Sequence, residues 1–321
     1  MRNRSDRLVA VATLGAFVVV TGVLGLVSLY LGAVTQALSD VPRSAPLADY
    51  PGRPAPAAEV AGVAPVRYLV LVTDDHGDLA SAYLAQLSGR RDALQLISLP
   101  ANLLVSGDGG AETTLSGRFA SAHGAGAVES VERLLSTRVD HLIELKLDEF
   151  LRLVDVVGGI RVENRAEMSA EGWHFPSGGL QLSAREASVF VGANRQAMTR
   201  LERTEAVLVQ LVRGVVSGDA LTNPAKVETI GTILRGCLIV DAGLTPGEIR
   251  RMALDMHLRV ENINGTPLPL AGVSELAGAP VTVADESRLG ELADAFAADQ
   301  LEAWADRQGA PWAPLVTLPP R

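Results

Sequence analysis

A chain of 321 residues that is 48% hydrophobic but only 4% aromatic has material for one large domain or two small ones, with a core of Ala, Val and Leu. Its net charge of −9 argues against sequence-independent nucleic-acid binding, which rests on Lys and Arg contacts to phosphates. The single cysteine, Cys237, excludes an internal disulfide and any multi-cysteine metal site, and in the apolar run GCLIV it reads as a buried structural thiol.

The first element is an uncharged run from Leu8 to Val34. About 20 apolar residues span a bilayer, so this run is long enough for an anchor and too long for the apolar core of a cleaved signal peptide. Arg2, Arg4 and Arg7 precede it, and Asp40 is the first charge after it. The positive-inside rule therefore places residues 1–7 in the cytoplasm as a short stub, 8–34 across the membrane, and the chain beyond about residue 35 outside. The expectation is a single-pass membrane protein with one extracytoplasmic domain. Residues 35–65 hold six prolines and many alanines, and read as a semi-extended linker rather than a folded element.

The globular part opens at RYLVLV (67–72), an apolar run suited to a buried strand, and turns at TDDHGD (73–78). A second strand, ALQLISL (93–99), stops at Pro100. Ala127, Val128, Val131, Leu134 and Leu135 make one helical face, and DHLIELKL (140–147) reads as a strand. Leu147, Phe150, Leu151, Val154 and Val157 form a helical stripe that Gly158 and Gly159 end, before a short strand at IRV (160–162). Ser183 with Glu186, and Thr245 with Glu248 behind Pro246, are capping boxes; Asn223 before Pro224 is a further helix start. The helix after Thr199 is apolar at Leu201, Leu208, Leu211, Val212 and Val215, and the one after Asp285 at Leu289, Leu292 and Phe296. Residues 298–321, with Trp304, Trp312 and four prolines, read as an irregular tail. Alternating strands and helices predict an α/β fold with a central sheet covered by helices.

The five histidines show no metal-ligand spacing, and no HExxH, P-loop or GxSxG motif is present. Asp74 and Asp75 follow the first strand, where ligands gather in open α/β sheets, and Asp92 lies just before the second. Asp74 and Asp92 suit Mg²⁺ if the segment between them brings them together; as turn residues, a role aspartate favours, they need no metal. Arg195, Arg200 and Arg203 fall within nine residues around a helix start, where the helix dipole is already positive. Such a cluster suits an anion, because guanidinium groups match phosphate oxygens bidentately. Surface pairing with Glu202 and Glu205 accounts for it equally well.

Taken together, these segments resemble the LytR–CpsA–Psr family of cell-envelope proteins over roughly residues 66–297. The stretch RVDHLIELKLDEFLRLVDVVGGIRV (138–162) is similar to the family's I-D-H-Y strand and F-x-x-L-V-D-x-L-G-G-V-x-V helix and strand, and GLQLSAREASVFV to its G-x-x-L-x-G-x-Q-A-L-x-Y-V. LVLVTDDHG and RRDALQLISLP stand where the family has LLLGSDSR and RSDTMMLVSIP. The resemblance implies an α–β–α sandwich with a central mixed sheet and an apolar pocket for a lipid tail. It implies transfer of a glycopolymer phosphate from a polyprenyl-pyrophosphate carrier to peptidoglycan, outside the membrane. On that resemblance Asp74 and Asp92 hold Mg²⁺, Arg118, Arg195, Arg200 and Arg203 bind the pyrophosphate, and the last three of these are catalytic.

Several positions depart from the family's pattern. Ala101 and Asn102 replace the arginine and aspartate of S-I-P-R-D, Ala120 and His123 replace an asparagine and a tyrosine, and Ala197 and Thr204 replace an acid and a glutamine. The resemblance is thus compatible with an active transferase. It is equally compatible with a catalytically impaired relative that binds polyprenyl lipid or glycopolymer, or regulates an active partner.

Overall fold

The computed structural model describes residues 41–59, 62–193, 197–217, 223–255, 263–308 and 313–314; the expected stub and anchor over 1–34 lie outside them, as does Arg195. Among the described residues no helix is long and apolar enough to cross a membrane.

In chain order the strands and helices begin with β1 (Arg43–Ser44), β2 (Val66–Thr73), β3 (Leu79–Leu87), β4 (Leu94–Pro100), β5 (Leu104–Ser106), β6 (Glu112–Thr114) and α1 (Leu115–Leu135). Next come β7 (His141–Lys146), α2 (Leu147–Leu151), α3 (Leu153–Val156), β8 (Ile160–Asn164), β9 (Met168–Ala170), β10 (Trp173–Phe175), β11 (Gly178–Leu182) and α4 (Ala184–Gly192). After these stand α5 (Ala197–Ser217), α6 (Pro224–Cys237), β12 (Leu238–Asp241), α7 (Pro246–Asp255) and β13 (Ile263–Pro267). The chain closes with β14 (Leu270–Leu276), β15 (Ala279–Ala284), α8 (Glu286–Ala297), α9 (Leu301–Arg307) and β16 (Ala313–Pro314).

Eight strands form a mixed sheet in the order β1-β12-β7-β2-β3-β4-β13-β16. The central strand β2 runs parallel to β7 and antiparallel to β3, and β3 is antiparallel to β4. Side chains alternate across the sheet, as the two-residue strand period requires. Tyr68, Val70 and Val72 face one core with Phe150, Phe190, Leu201, Leu208 and Leu234, so α2 to α7 cover that face. Leu69 and Leu71 face the other core with Leu115, Phe119, Val131, Leu292 and Phe296, which α1, α8 and α9 supply. The result is the expected α–β–α sandwich.

The chemically explicit boundaries hold. Ser183 accepts from the N–H of Glu186, whose carboxylate bonds back to Ser183, a complete capping box. Thr245 and Glu248 do the same, and Asn223 and Asp285 cap the helices after them. Cys237 is fully buried, and burial pushes its thiol up to about 12, as a structural cysteine requires.

Three segments differ from the sequence reading. Strand β3 lies inside LASAYLAQL, whose small and polar residues mask its complete burial. The proline-rich segment read as a linker is docked on the domain from Val41 to Arg53. Val41 is buried, β1 pairs in parallel with Val240 and Asp241, and Arg53 reaches buried Glu132 at 3.0 Å. The tail read as irregular contains α9, with Leu301, Trp304 and Ala305 buried, and Arg288 stacks on the Trp304 ring at 5.7 Å. The domain therefore extends past residue 297. Trp304→Ala is expected to lower stability by about 3–5 kcal/mol, read as a shift of thermal midpoint of about 10 °C; a neutral substitution would mean the helix is not part of the core.

Candidate functional site

At the carboxyl ends of β2 and β7 the sheet opens into a cleft of about 640 Å³. Its walls are the β2–β3 turn (Asp74, Asp75, His76, Asp78), Asp148 at the start of α2, Glu171 at the tip of the β9–β10 hairpin, Arg185 and Ser188 on α4, and Arg200 on α5. Each element has a local reason to be there. The turn is closed by Asp74 itself, which accepts from the N–H of His76 at 3.1 Å and of Asp78 at 2.9 Å through Oδ1. Gly77 takes the left-handed backbone the turn needs, with φ of 81°. On α4, Ser188 donates to Asp148 and so fixes the start of α2 to the opposite wall.

Arg200 donates from Nη2 to Asp74 Oδ2 at 2.9 Å. Burial raises the Asp74 carboxyl, but Arg200 and the turn N–H groups outweigh it and hold the pKa below the ordinary carboxylate value. Asp74 is therefore an anion at neutral pH with one oxygen saturated and one facing a guanidinium. That pairing also explains the arginine at a helix start: its charge is met by a carboxylate from another element.

Of the six residues expected at the site, the structure brings together Asp74 and Arg200. Asp92 is a correction. It lies in the β3–β4 turn, where Ser88 donates to it at 3.0 Å, at the far end of β3 from Asp74. Nine strand residues separate those ends by roughly 30 Å, so the two carboxylates do not share an ion. Asp78 is the carboxylate adjacent in the fold, missed because β3 was missed; reading LASAYLAQL as a strand makes 74–78 its hairpin turn.

Arg118 is also displaced. It sits on α1, on the opposite face of the sheet from α5, and donates to Glu129 at 3.2 Å. There it lines a separate cavity of about 580 Å³ with His123, Glu144 and Leu47. Arg203 points away from the cleft lining: it lies over the Phe190 ring at 5.1 Å and donates to the Phe190 carbonyl. Burial lowers its pKa. Glu202, expected to pair with these arginines, lies 3.5 Å from Arg165 instead. Arg195 lies outside the described residues.

Of the positions that depart from the family pattern, Asn102 has a structural role through its side chain and Ala101 through its backbone. Asn102 donates to the Pro280 carbonyl at 3.2 Å and accepts from Thr282 at 3.0 Å, tying β4 to β15. The Ala101 carbonyl accepts the N–H of Ser116 and anchors the start of α1.

The turn offers a donor set for Mg²⁺. Ligand atoms of Asp74, Asp75 and His76 lie within 4.8 Å of one another. Asp74 Oδ2 keeps a lone pair beyond its bond to Arg200, and Asp75 is exposed, so two hard carboxylate oxygens fit the ion's preference. His76 is the poorer donor for magnesium, and its ring is held 2.5 Å from Asp75.

A model described as the LytR_cpsA_psr family matches residues 74–295. The cell wall biosynthesis protein LcpA of Corynebacterium glutamicum is 28% identical over 169 residues, 50% of this chain and 32% of that protein. The polyisoprenyl-teichoic acid–peptidoglycan teichoic acid transferase TagU of Bacillus mycoides is 26% identical over 144 residues, 43% of this chain and 47% of that protein. The chain thus spans about a third to a half of the length of these relatives. Among solved structures, a LytR-Csp2A-Psr enzyme from Actinomyces oris superposes with a TM-score of 0.58 at 17% identity, covering 85% of this chain and 97% of that one, which places the fold.

Proposed function

The chain belongs to the LytR–CpsA–Psr family, and from that premise we propose that it transfers a glycopolymer phosphate from a polyprenyl-pyrophosphate carrier to peptidoglycan. On this reading residues 8–34 anchor it in the bacterial cell membrane and the sandwich works on the outer side. The observation that carries it is the Asp74–Arg200 pair at the mouth of a polar cleft, where β2 and β7 end. Relatives named for cell wall biosynthesis and for teichoic acid transfer support the substrate class.

In such a transfer an acceptor hydroxyl attacks the glycan-bearing phosphorus, the anhydride P–O bond breaks, and polyprenyl monophosphate leaves. Catalysis then rests on positioning and charge neutralisation. Arg200 supplies a guanidinium oriented by Asp74, able to meet phosphate oxygens as their charge grows. Asp74 and Asp75 would hold Mg²⁺, which when bound neutralises phosphate charge. With its pKa held down, Asp74 is a poor proton acceptor, so it orients and does not serve as the base.

The test is release of polyprenyl monophosphate from a short-chain polyprenyl-pyrophosphoryl glycan by the full chain with Mg²⁺ and peptidoglycan, alongside a competent relative. Asp74→Asn is expected to abolish release, and Asp92→Ala to leave it within about twofold, as expected of a turn remote from the cleft. No release from the unmodified chain, with the relative active, would reject the transferase.

A second reading is favoured by Ala101 and Asn102. Ala101 brings no guanidinium where the family pattern has an arginine, and the Asn102 side chain is engaged by Pro280 and Thr282 where it has an aspartate, so the chain would bind polyprenyl lipid or glycopolymer, or regulate an active partner, without transfer. It predicts donor binding with no turnover in the same assay.

A further inference from the structure

Arg185 has no place in the family pattern, yet it lines the cleft with Arg200; these two supply the guanidinium groups of its described lining. It lies in the first turn of α4 and pairs with Glu171 at 2.8 Å, across from the tip of the β9–β10 hairpin. Both side chains are well exposed, at 68% and 62%. Such a pair changes an equilibrium constant by at most about fivefold, so an incoming phosphate displaces Glu171 at little cost. Arg200 is different: it is largely covered, and its carboxylate partner is locked into the β2–β3 turn. Among the described lining residues, Arg185 is thus the exchangeable cation.

The hairpin that carries Glu171 also carries Trp173, one of few large apolar side chains exposed among the described residues. Trp173 and Phe175 share one face of β10, because they are two residues apart. Phe175 packs edge-on against Phe190 of α4, with centroids 5.6 Å apart. Trp173 stands two residues from Glu171, whose carboxylate meets Arg185, so the hairpin tip carries a flat, partly exposed apolar surface outside the cleft lining, next along the chain to the residue that holds the cation. A sugar ring with an attached phosphate has that same pairing of an apolar face and an anion.

We propose that Arg185 and Trp173 form an outer subsite of the cleft, which takes a phosphate-linked sugar of the polymer beyond the reacting phosphate. The subsite deepens the transferase reading and rests on it for its biological substrate, but its chemistry is testable without any transfer.

The probe is N-acetylglucosamine 1-phosphate, titrated against the full chain in detergent by calorimetry, with unphosphorylated N-acetylglucosamine and inorganic phosphate as controls. The phosphosugar is expected to bind more tightly than either control. Arg185→Gln should weaken it by about tenfold or more, as for a lost charge-assisted hydrogen bond. Trp173→Ala should weaken it by about threefold to tenfold, while leaving inorganic phosphate unaffected. Glu171→Gln, which frees Arg185, should tighten it by up to about fivefold. All three positions are exposed, and unchanged thermal midpoints check the fold. No phosphosugar binding by the unmodified chain, or affinity unchanged in either Arg185→Gln or Trp173→Ala, overturns the subsite. Phosphosugar binding with these losses, in a chain that releases no polyprenyl monophosphate, keeps the subsite and rejects the transferase reading alone.

Discussion

Arg200→Ala is expected to lower transfer by about 10²–10³-fold while the protein stays folded. The substitution removes a guanidinium from the cleft and leaves Asp74, whose side chain is only 12% exposed, without its cation. Truncating one partner of a desolvated, hydrogen-bonded charge pair costs on the order of 2–5 kcal/mol, roughly 30- to 5,000-fold in rate if the contact acts in the transition state, and the expected loss lies in the middle of that range. Arg200→Lys keeps the charge but not the planar fork, and is expected to recover only part of the loss. The measurement is kcat/KM for polyprenyl monophosphate release, with circular dichroism as the fold control; an Arg200→Ala protein within threefold of the parent would remove Arg200 from the mechanism. The same pair sets an acid limit. The folded pKa of Asp74 lies below its unfolded value of about 4, so the contact contributes fully above that pH. Its contribution is lost as pH falls through the lowered folded value. Between about pH 5 and pH 8, activity should show no acid limb from Asp74.

The second large effect is on stability. Glu132 is fully buried on α1 and accepts from Arg53 Nε and Nη2 and from the N–H of Val139 at 2.8 Å. Arg53 comes from the segment before β2 and has a side chain only 5% exposed. Glu132→Ala leaves a buried guanidinium whose other carboxylate, Asp49, is 79% exposed. Breaking a buried pair this way costs about 3–5 kcal/mol, a fall in thermal midpoint of about 10 °C for a domain of this size. The double replacement Arg53→Met with Glu132→Leu should recover much of the loss, because neither charge is then stranded. If Glu132→Ala melts with the parent, the segment is not integral to the fold.

Helix ends were the most legible part of the sequence, because Ser183, Asn223, Thr245 and Asp285 carry their function in their own side chains. The strands β2, β4 and β7 were legible as apolar runs of the right length. Strand β3 was not: it lies mid-sheet between two helical layers, so even Ser81, Ala82 and Gln86 are buried there, and no local pattern announces that. Without β3, the segment from Asp74 to Asp92 reads as a connection free to bring the two carboxylates together; with β3, Asp92 falls at the opposite rim of the sheet. Arg200 and Arg203 are three residues apart, yet one turns to Asp74 and the other to Phe190, a division that only the packing of α5 decides.

The docking of Val41 and β1 on the sandwich has a consequence for reach. On the proposal that residues 8–34 span the membrane, six residues, or seven Cα–Cα steps, connect the end of that span to a side chain already buried in the domain. Fully extended, they cover at most about 25 Å. The leash is therefore short, and the prolines beyond Val41 add nothing to its length. On the transferase proposal, Val41 would then be held within about 25 Å of the end of the span, close to a donor that is itself anchored in the bilayer, and the acceptor would have to come to that layer.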